Sequence, residues 1–148
     1  NNKILSAHIG VFDRLFGGAA SHYERLSIAL SKAIQFNCFI VLKGHFTAIV
    51  NPSGNVLFNS TGNSSLAKGG SGDVLCGLIS AFVAQSYELE DACILGVYLH
   101  GLAADLYVME NGMESLLASD LIEVLPKVFK LLWDEKKAGS SVWSRNQC

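Results

Sequence analysis

The sequence predicts an α/β fold in which helices cover a mostly parallel sheet. Residues 39–42 form the uninterrupted apolar run Phe-Ile-Val-Leu, which is typical of a strand buried on both faces of a parallel sheet. A loop region over residues 62–77 contains 5 of the 14 glycines, and a strongly helical pattern begins at its end. Because short strands precede this loop and helices follow it, the order of elements favours a layered α/β domain.

Length and composition exclude several classes of protein. The chain has 148 residues, of which 50% are hydrophobic and 16% charged, so we expect one domain with its own core. A net charge of −2 argues against nucleic acid or a membrane surface as a partner. We find no apolar run near the ~18 residues of a membrane span, which favours a cytoplasmic protein.

The cysteines and the first residue give two further expectations. The four cysteines, at positions 38, 76, 93 and 148, lie far apart and form no metal-binding or redox pair. This spacing favours reduced thiols and no protein metal site, and we expect Cys76 to pack in the core. The chain begins with Asn1 rather than Met and enters a structured pattern at once, so we expect the back part of a longer protein.

The first third of the chain predicts a strand and two helical segments. Ile4 and Leu5 can end a short strand, and residues 11–16 indicate one helical turn that two glycines stop. Ser21, with Glu24 three residues later, forms the capping-box pattern that begins a helix. The apolar face of this helix continues to about residue 34.

A β-hairpin is predicted directly after the buried strand. Residues 47–50 and 56–58 are two short runs rich in strand-forming side chains. The sequence Asn-Pro-Ser-Gly at positions 51–54 has a favoured residue at each place of a type I turn. We therefore predict that these two runs pair as antiparallel strands.

Three helices are predicted after the glycine loop. The first has one apolar stripe, made of Val74, Leu75, Leu78, Ile79, Phe82 and Val83. The second runs from about residue 89 to residue 109. Ser119 is expected to cap the third at Asp120, and Pro126 is expected to break or kink it near Leu125. Residues 134–148 are expected to form a polar tail.

The glycine loop is the most informative segment of the sequence. Gly69, Gly70 and Gly72 allow positive φ and a close approach of the backbone to a ligand. Because they stand where a helix begins, free amides and the positive end of the helix dipole converge there, as a phosphate requires. Asp73, in the first turn, could stabilise the helix dipole or act as a base toward an alcohol that attacks a phosphoryl group. Spacing alone leaves both alternatives open.

Several motifs together resemble one family. They are Asn-Pro-x-Gly at 51–54, Asn-x-Thr-Gly-Asn at 59–63 and Leu-Ala-x-Gly-Gly-x-Gly-Asp-Val-Leu-x-Gly at 66–77. In this order they resemble the ADP/ATP-dependent NAD(P)H-hydrate dehydratases of the ribokinase-like superfamily. The resemblance continues through residues 8–15, 43–47, 96–105 and 118–122. It implies a three-layer ribokinase-like fold, of which residues 1–133 would form the C-terminal portion.

The resemblance also implies an activity and a set of site residues. In this family ADP or ATP phosphorylates the C6 hydroxyl of hydrated NADH or NADPH, and loss of phosphate restores the dihydropyridine. Mg²⁺ would accompany the nucleotide, and the protein would be a homo-oligomer, a tetramer by resemblance. The implied site residues are Asp73, Gly70 and Gly72 for catalysis, Lys43, Gly44, His45, Phe46, Thr47 and Gly72 for the nucleotide, and His8 and Asp73 for the hydrate.

Two departures and two alternatives accompany this interpretation. Val11 stands where the family usually has an acidic residue, and Lys68 stands where threonine is usual. Lys68 could add a phosphate contact or be solvated. Another ribokinase-like kinase, such as one for hydroxyethylthiazole, could use the same glycine loop, and a non-catalytic nucleotide-binding piece is the alternative of a different class.

His100, with apolar neighbours on its helix, is expected to be a hydrogen-bonded core histidine.

Overall fold

Four strands, five α-helices and one short 3₁₀ helix make up residues 3–143, the part of the chain that the structure, a computed structural model, describes. In chain order they are β1 (Ile4–His8), α1 (Ile9–Phe16), α2 (His22–Phe36), β2 (Phe39–Lys43), β3 (Ala48–Val50), β4 (Val56–Phe58), the 3₁₀ turn Ser64–Leu66, α3 (Ser71–Ala84), α4 (Leu89–Asn111) and α5 (Ala118–Trp143). The predicted α/β class is confirmed.

The sheet of the described residues is mixed, which corrects the expectation of a mostly parallel sheet. The strands lie in the order β1-β2-β3-β4. β1 pairs in parallel with β2, because α2 carries the chain back between them, whereas β2–β3 and β3–β4 are antiparallel. The predicted hairpin accounts for one antiparallel pair. The tight connection from β2 to β3 accounts for the other, since a parallel pairing needs a longer crossover.

Alternate residues of β2 belong to two different cores, as its apolar run predicts. Ile40 and Leu42 pack on one face of the sheet with residues of α1 and α2. Val41 packs on the opposite face with residues of α3, α4 and α5. Since successive side chains of a strand point to opposite faces, an apolar residue at every position produces three layers, with helices on both sides of the sheet.

Two local sequence signals form hydrogen bonds close to those that they predict. The Ser21 Oγ accepts from the Glu24 amide at 3.1 Å, and the Glu24 carboxylate in turn accepts from the Ala20 amide at 2.6 Å. In the turn between β3 and β4, the Gly54 amide donates to the Asn51 carbonyl at 3.1 Å. The Asn51 side chain accepts two more backbone amides of the same turn. Ser21 is therefore confirmed as the N-cap and the hairpin turn is confirmed, although the reciprocal bond of Glu24 goes to Ala20 rather than to Ser21.

The start and the course of α5 differ from the prediction. The helix begins at Ala118, and the Asp120 carboxylate accepts from the Leu117 amide at 2.8 Å, so Asp120 rather than Ser119 caps it. The predicted break near Leu125 is wrong, because α5 continues through Pro126 as far as Trp143. Proline removes one amide donor, and packing of α5 against α4 outweighs that loss. The expected polar tail thus begins as helix, and residues 144–148 lie outside the described residues.

α4 meets the length and apolarity of a membrane-crossing helix, which corrects the expectation that the sequence has no such run. Its best window of 18 residues has a mean hydropathy of 1.5, and half of that window is buried in the protein. Packing accounts for the small and apolar residues. A Cβ on Gly96 would lie 3.4 Å from the backbone of Ile79, so α3 and α4 contact each other closely.

The three described cysteines are free thiols in two kinds of environment. Cys38 and Cys93 are buried, whereas Cys76 is exposed on α3, so the expectation that Cys76 packs in the core is wrong. Burial, helped by the charge of Glu90, raises the pKa of the Cys93 thiol to about 12. Cys148 lies outside the described residues.

Candidate functional site

The carboxyl ends of β1 and β2 place two predicted site residues side by side. His8 ends β1, Lys43 ends β2, and the two are partners in the register of the parallel pair. The His8 Nδ1 accepts from the Val11 amide at 3.3 Å and so caps α1. Because Nδ1 is an acceptor, the ring proton of neutral His8 is on Nε2, which remains available as a donor.

Lys43 joins this strand edge to the glycine loop. A Cβ added to Gly72 would lie 2.6 Å from the Lys43 Nζ, so the ammonium group rests directly over the Gly72 backbone. Any larger residue at this position would displace the lysine. The close approach leaves no room for a Cβ while Lys43 keeps its position, and it brings one predicted nucleotide contact against the predicted phosphate loop.

Among the described residues, the amides of Gly69, Gly70 and Gly72 in the glycine loop have no acceptor. Gly70 precedes α3 in a left-handed conformation, with φ of 85°, and its carbonyl accepts the amides of Asp73 and Val74 at 3.0 and 3.2 Å. The Ser71 amide has a long hydrogen bond, of 3.4 Å, to the Lys68 carbonyl. Within the described residues the Gly72 amide has no acceptor. This free donor, the helix dipole and the Lys43 ammonium create a positive potential that suits a phosphate oxygen.

Asp73 is exposed on the first turn of α3. No hydrogen bond or ion pair engages its carboxylate among residues 3–134, so the group is available to a bound molecule. Its placement suits both alternatives from the sequence, since a carboxylate here favours the helix dipole and also adjoins the anion-binding backbone.

The segment before the glycine loop is fastened to α4. The Thr61 Oγ1 donates to the Tyr98 carbonyl at 2.8 Å. The Asp105 carboxylate accepts from the Gly62 amide at 2.7 Å and from the Asn63 side chain at 2.8 Å. Two of the sequence motifs, at 59–63 and 96–105, are thus in direct contact. The role of Asp105 was not predicted, because only the packing of the loop on α4 brings these residues together.

Lys68 is engaged with the protein backbone rather than projecting freely into solvent. Its Nζ donates to the backbone carbonyls of Met113, Glu114 and Leu116, in the segment between α4 and α5. An ammonium group has three N–H donors, and these three carbonyl oxygens accept them. Lys68 therefore ties the glycine loop to the start of α5.

A cavity of about 410 Å³ lies beside Lys43, and we call it the strand-end cavity. It is lined by Ile9, His22, Tyr23, Arg25, Leu26, Leu42, Lys43, Gly44, His45, Phe46, Ala48 and Phe58. Four of the five residues predicted to contact the nucleotide in the 43–47 segment belong to this lining. Thr47 does not line it, and its carbonyl instead accepts the Asn59 amide at 2.9 Å. The aromatic residues contributed by α2 and β4 were not predicted, because single aromatic side chains carry no distinguishing pattern.

An ion pair forms part of the wall of this cavity. The Arg25 Nε and a second guanidinium nitrogen donate to the two carboxylate oxygens of Asp13 at 2.7 and 2.9 Å. The hydrogen bonds from Arg25 lower the pKa of Asp13, and those to Asp13 raise the pKa of Arg25. Because Asp13 neutralises Arg25, the ammonium of Lys43 is the main positive charge at the cavity.

Comparison with known proteins points to one family. The sequence profile of the NAD(P)H-hydrate dehydratase family matches residues 1–127. The ADP-dependent (S)-NAD(P)H-hydrate dehydratase of Bacillus subtilis is 39% identical over 129 residues, which are 86% of this chain and 47% of that protein. The chain therefore spans about half the length of this relative.

Solved structures agree in fold. A crystal structure of the ADP/ATP-dependent NAD(P)H-hydrate dehydratase of Bacillus subtilis, co-crystallised with ATP and Mg²⁺, matches with a TM-score of 0.80 and 39% identity. The match covers 87% of this chain and 47% of that one. A ribokinase-like superfamily protein of Enterococcus faecalis matches with a TM-score of 0.72 and 29% identity, over 86% of this chain and 43% of that one. The predicted ribokinase-like fold is confirmed.

Proposed function

The chain belongs to the NAD(P)H-hydrate dehydratase family, and from this membership we propose that it supports the ADP- or ATP-dependent dehydration of hydrated NADH or NADPH. The observation that carries the proposal is the contact of Lys43 with Gly72. It joins the segment proposed to bind the nucleotide to the loop proposed to bind the transferred phosphoryl group. The reaction would repair a damaged nicotinamide cofactor.

The strand-end cavity is the proposed position of the adenosine part of the nucleotide. Its apolar and aromatic walls suit a purine ring, and Lys43 and His45 stand at its polar side. The phosphates would extend from Lys43 toward the free Gly72 amide. Residues 43–46 would contact the nucleotide directly, whereas Thr47 would act through the backbone that supports them.

Asp73 is proposed as the base and His8 as a contact to the hydrate. As the C6 hydroxyl oxygen attacks phosphorus, its proton would pass to the Asp73 carboxylate, and the nucleotide would leave with the bonding electron pair. The amides of Gly70 and Gly72 and the Lys43 ammonium would balance the charge that develops on the phosphoryl oxygens. Elimination of phosphate from the ester would then restore the dihydropyridine.

Mg²⁺ fits this site only as a companion of the nucleotide. No group of three or more histidine, cysteine, aspartate or glutamate side chains is placed to hold a metal within the described part of the chain. Mg²⁺ commonly binds through substrate phosphates and one or two carboxylates, and Asp73 is the exposed carboxylate beside the phosphate loop. Bound in this way, the ion would neutralise phosphate charge.

Two further properties belong to the same proposal. By resemblance to its family the protein would assemble as a homo-oligomer, with four copies as the expected number. It would act in the cytoplasm, where nicotinamide cofactors and adenine nucleotides are both present. Size-exclusion chromatography with light scattering would measure the first, and microscopy of a fluorescent fusion the second.

The decisive experiment measures recovery of NADH or NADPH from the hydrate by absorbance, with ADP, ATP or no nucleotide. Nucleotide-dependent recovery supports the proposal. Phosphorylation of hydroxyethylthiazole without recovery of NADH or NADPH would favour the kinase alternative. The motifs at 59–63 and 96–105 favour the dehydratase over that kinase. Binding of ADP without turnover of either substrate would identify a non-catalytic nucleotide-binding protein.

A further inference from the structure

A buried histidine on α4 contacts the first residue of α3. His100 is only 6% exposed. Its Nε2 lies 2.9 Å from the Ser71 carbonyl oxygen and 3.1 Å from the Ser71 Oγ. A carbonyl oxygen can only accept, so Nε2 carries the proton and donates it to the Ser71 carbonyl, with the hydroxyl as a second, weaker acceptor.

This hydrogen bond acts on the peptide unit that contains the Gly72 amide, one of the free amides of the glycine loop. The Ser71 carbonyl and the Gly72 amide belong to the same peptide plane and point in opposite directions. Holding the carbonyl toward His100 therefore aims the Gly72 N–H away from α4. Because hydrogen bonds polarise one another, a donor on the carbonyl also strengthens the amide as a donor.

The surroundings keep His100 in one protonation state and one position. Burial, together with the charge of Lys43, lowers the pKa of His100, and the hydrogen bond to Ser71 opposes this only in part. The next residue of α4, Gly101, touches Thr61 so closely that a Cβ there would lie 2.6 Å from the Thr61 carbonyl carbon. The helix that carries His100 is thus held in a defined position against the loop.

We propose that His100 is a positioning residue for phosphoryl transfer, which orients and polarises the Ser71–Gly72 peptide so that the Gly72 amide can bind a phosphate oxygen. The inference rests on the proposed function for its role in catalysis. The hydrogen bond itself can be tested without nucleotide. His100 touches neither substrate nor nucleotide in this proposal and acts through the backbone alone.

Two variants distinguish a role of His100 as a hydrogen-bond donor from a role in packing alone. In His100→Gln the amide nitrogen can reach the place of Nε2 and donate to the Ser71 carbonyl. In His100→Leu no donor remains. Val97→Ala is the matched control, because Val97 is also buried on α4 and its truncation weakens packing without removing a hydrogen-bond donor.

The first measurement is NMR of the ligand-free protein. We expect the imidazole nitrogen shifts to show the proton of His100 on Nε2. We expect the Gly72 amide resonance to shift in His100→Leu, to return toward the wild-type position in His100→Gln and to stay unchanged in Val97→Ala. In the wild type, a proton on Nδ1 alone would overturn the proposal, whether or not the variants fold. In a folded His100→Leu variant, an unchanged Gly72 amide resonance would also overturn it.

The second measurement is the affinity for ADP together with the steady-state constants. Loss of one hydrogen bond is worth about tenfold in affinity or rate. We expect His100→Leu to weaken ADP binding and to lower kcat by about that factor, with His100→Gln restoring most of both. Equal losses in the Leu and Gln variants would show that only volume matters and would refute the role. A wild-type protein that binds no ADP would instead refute the proposed function, while the NMR result would still decide the hydrogen bond.

Discussion

The Lys43 ammonium nitrogen packs against Gly72, so closely that a Cβ added to Gly72 would lie 2.6 Å from it. The end of β2 and the beginning of α3 therefore meet where the Lys43 side chain occupies the space that a side chain at position 72 would fill. The lysine supplies positive charge, and the glycine exposes a backbone amide without an acceptor in the described residues. Neither residue alone defines an anion site. Their contact joins the strand edge to the helix start, where we propose that the phosphates of the nucleotide bind.

Replacement of Gly72 tests this contact. Gly72→Val would push the Lys43 Nζ away and cover the free amide, so we expect ADP binding to weaken by at least about tenfold. The loss in melting temperature should be small, because the atom displaced is the end of a flexible side chain. Calorimetric titration with ADP measures the first effect and thermal unfolding the second.

Gly77→Ala is the control for that experiment. A Cβ at Gly77, on the same helix, would meet no atom within 4 Å, and the residue is exposed. We expect unchanged ADP affinity and a gain of about 0.5–1 kcal/mol in the free energy of unfolding, since alanine favours a helix. If Gly72→Val binds ADP as well as Gly77→Ala does, the loop is only a turn.

Replacement of Asp73 separates a base from a helix cap. Asp73→Asn keeps the shape and the hydrogen-bonding oxygen but cannot take up a proton at neutral pH. We expect turnover of the hydrate to fall by about 10²–10⁴, the usual contribution of a positioned base, with ADP affinity within a few fold of the wild type. Near-normal turnover in the variant would leave Asp73 with the role of a favourable charge at the helix start.

The contact between α4 and the loop predicts a stability effect at Gly101. A Cβ there would overlap the Thr61 backbone, which cannot move without breaking the Thr61 hydrogen bond to Tyr98. We expect Gly101→Ala to lower the free energy of unfolding by about 1–3 kcal/mol, measured by urea denaturation. A variant as stable as the wild type would mean that the loop is free to withdraw from α4.

The environment of His100 predicts how stability depends on pH. Burial and Lys43 lower its folded-state pKa below the ordinary value of 6.5. Below pH 6.5 the unfolded chain binds more protons than the folded one. Stability therefore falls as the pH drops from about 6.5 toward the folded-state pKa. Above pH 6.5 the histidine is neutral in both states and contributes no slope. Because the pKa of Asp13 is lowered, the protein loses further stability as protonation of that carboxylate begins, but only below pH 3.8, the ordinary pKa of the group.

His100→Gln isolates this contribution. The melting temperatures of the wild type and the variant should run parallel above pH 6.5 and converge or cross at lower pH. The reason is that only the wild type loses stability there through protonation of His100. Parallel curves across the whole range would show that His100 is not held neutral by the fold.

The outer edge of β1 predicts self-association. Within the described residues β1 pairs only with β2, and apolar residues of β1, α3 and the start of α4 line a cavity beside its free side, among them Ile4, Ile79 and Leu89. An unpaired strand edge next to apolar surface is a template for pairing with another chain. We expect the 148-residue chain to associate as its concentration rises, measured by light scattering. A monodisperse monomer at every concentration would refute this expectation.

Short-range patterns in the sequence determined much of the architecture. The N-cap at Ser21, the turn at Asn51 and the buried strand β2 all formed as predicted, because each depends on contacts within a few residues or on one apolar run. The glycine loop before α3 and the place of Asp73 on the first turn of that helix also follow from local pattern, whereas their role at a phosphate site stays a prediction. Family motifs then predicted which residues form the site.

Tertiary structure alone decided how those pieces meet. The continuation of α5 through Pro126 depends on packing against α4, which local propensity does not contain. The contacts of Lys43 with Gly72, of His100 with Ser71 and of Asp105 with Gly62 join residues far apart in the chain. Local hydrogen bonds and apolar periodicity specify elements, whereas the meeting of two elements depends on how their side chains fill the space between layers, and that is a property of the folded chain as a whole.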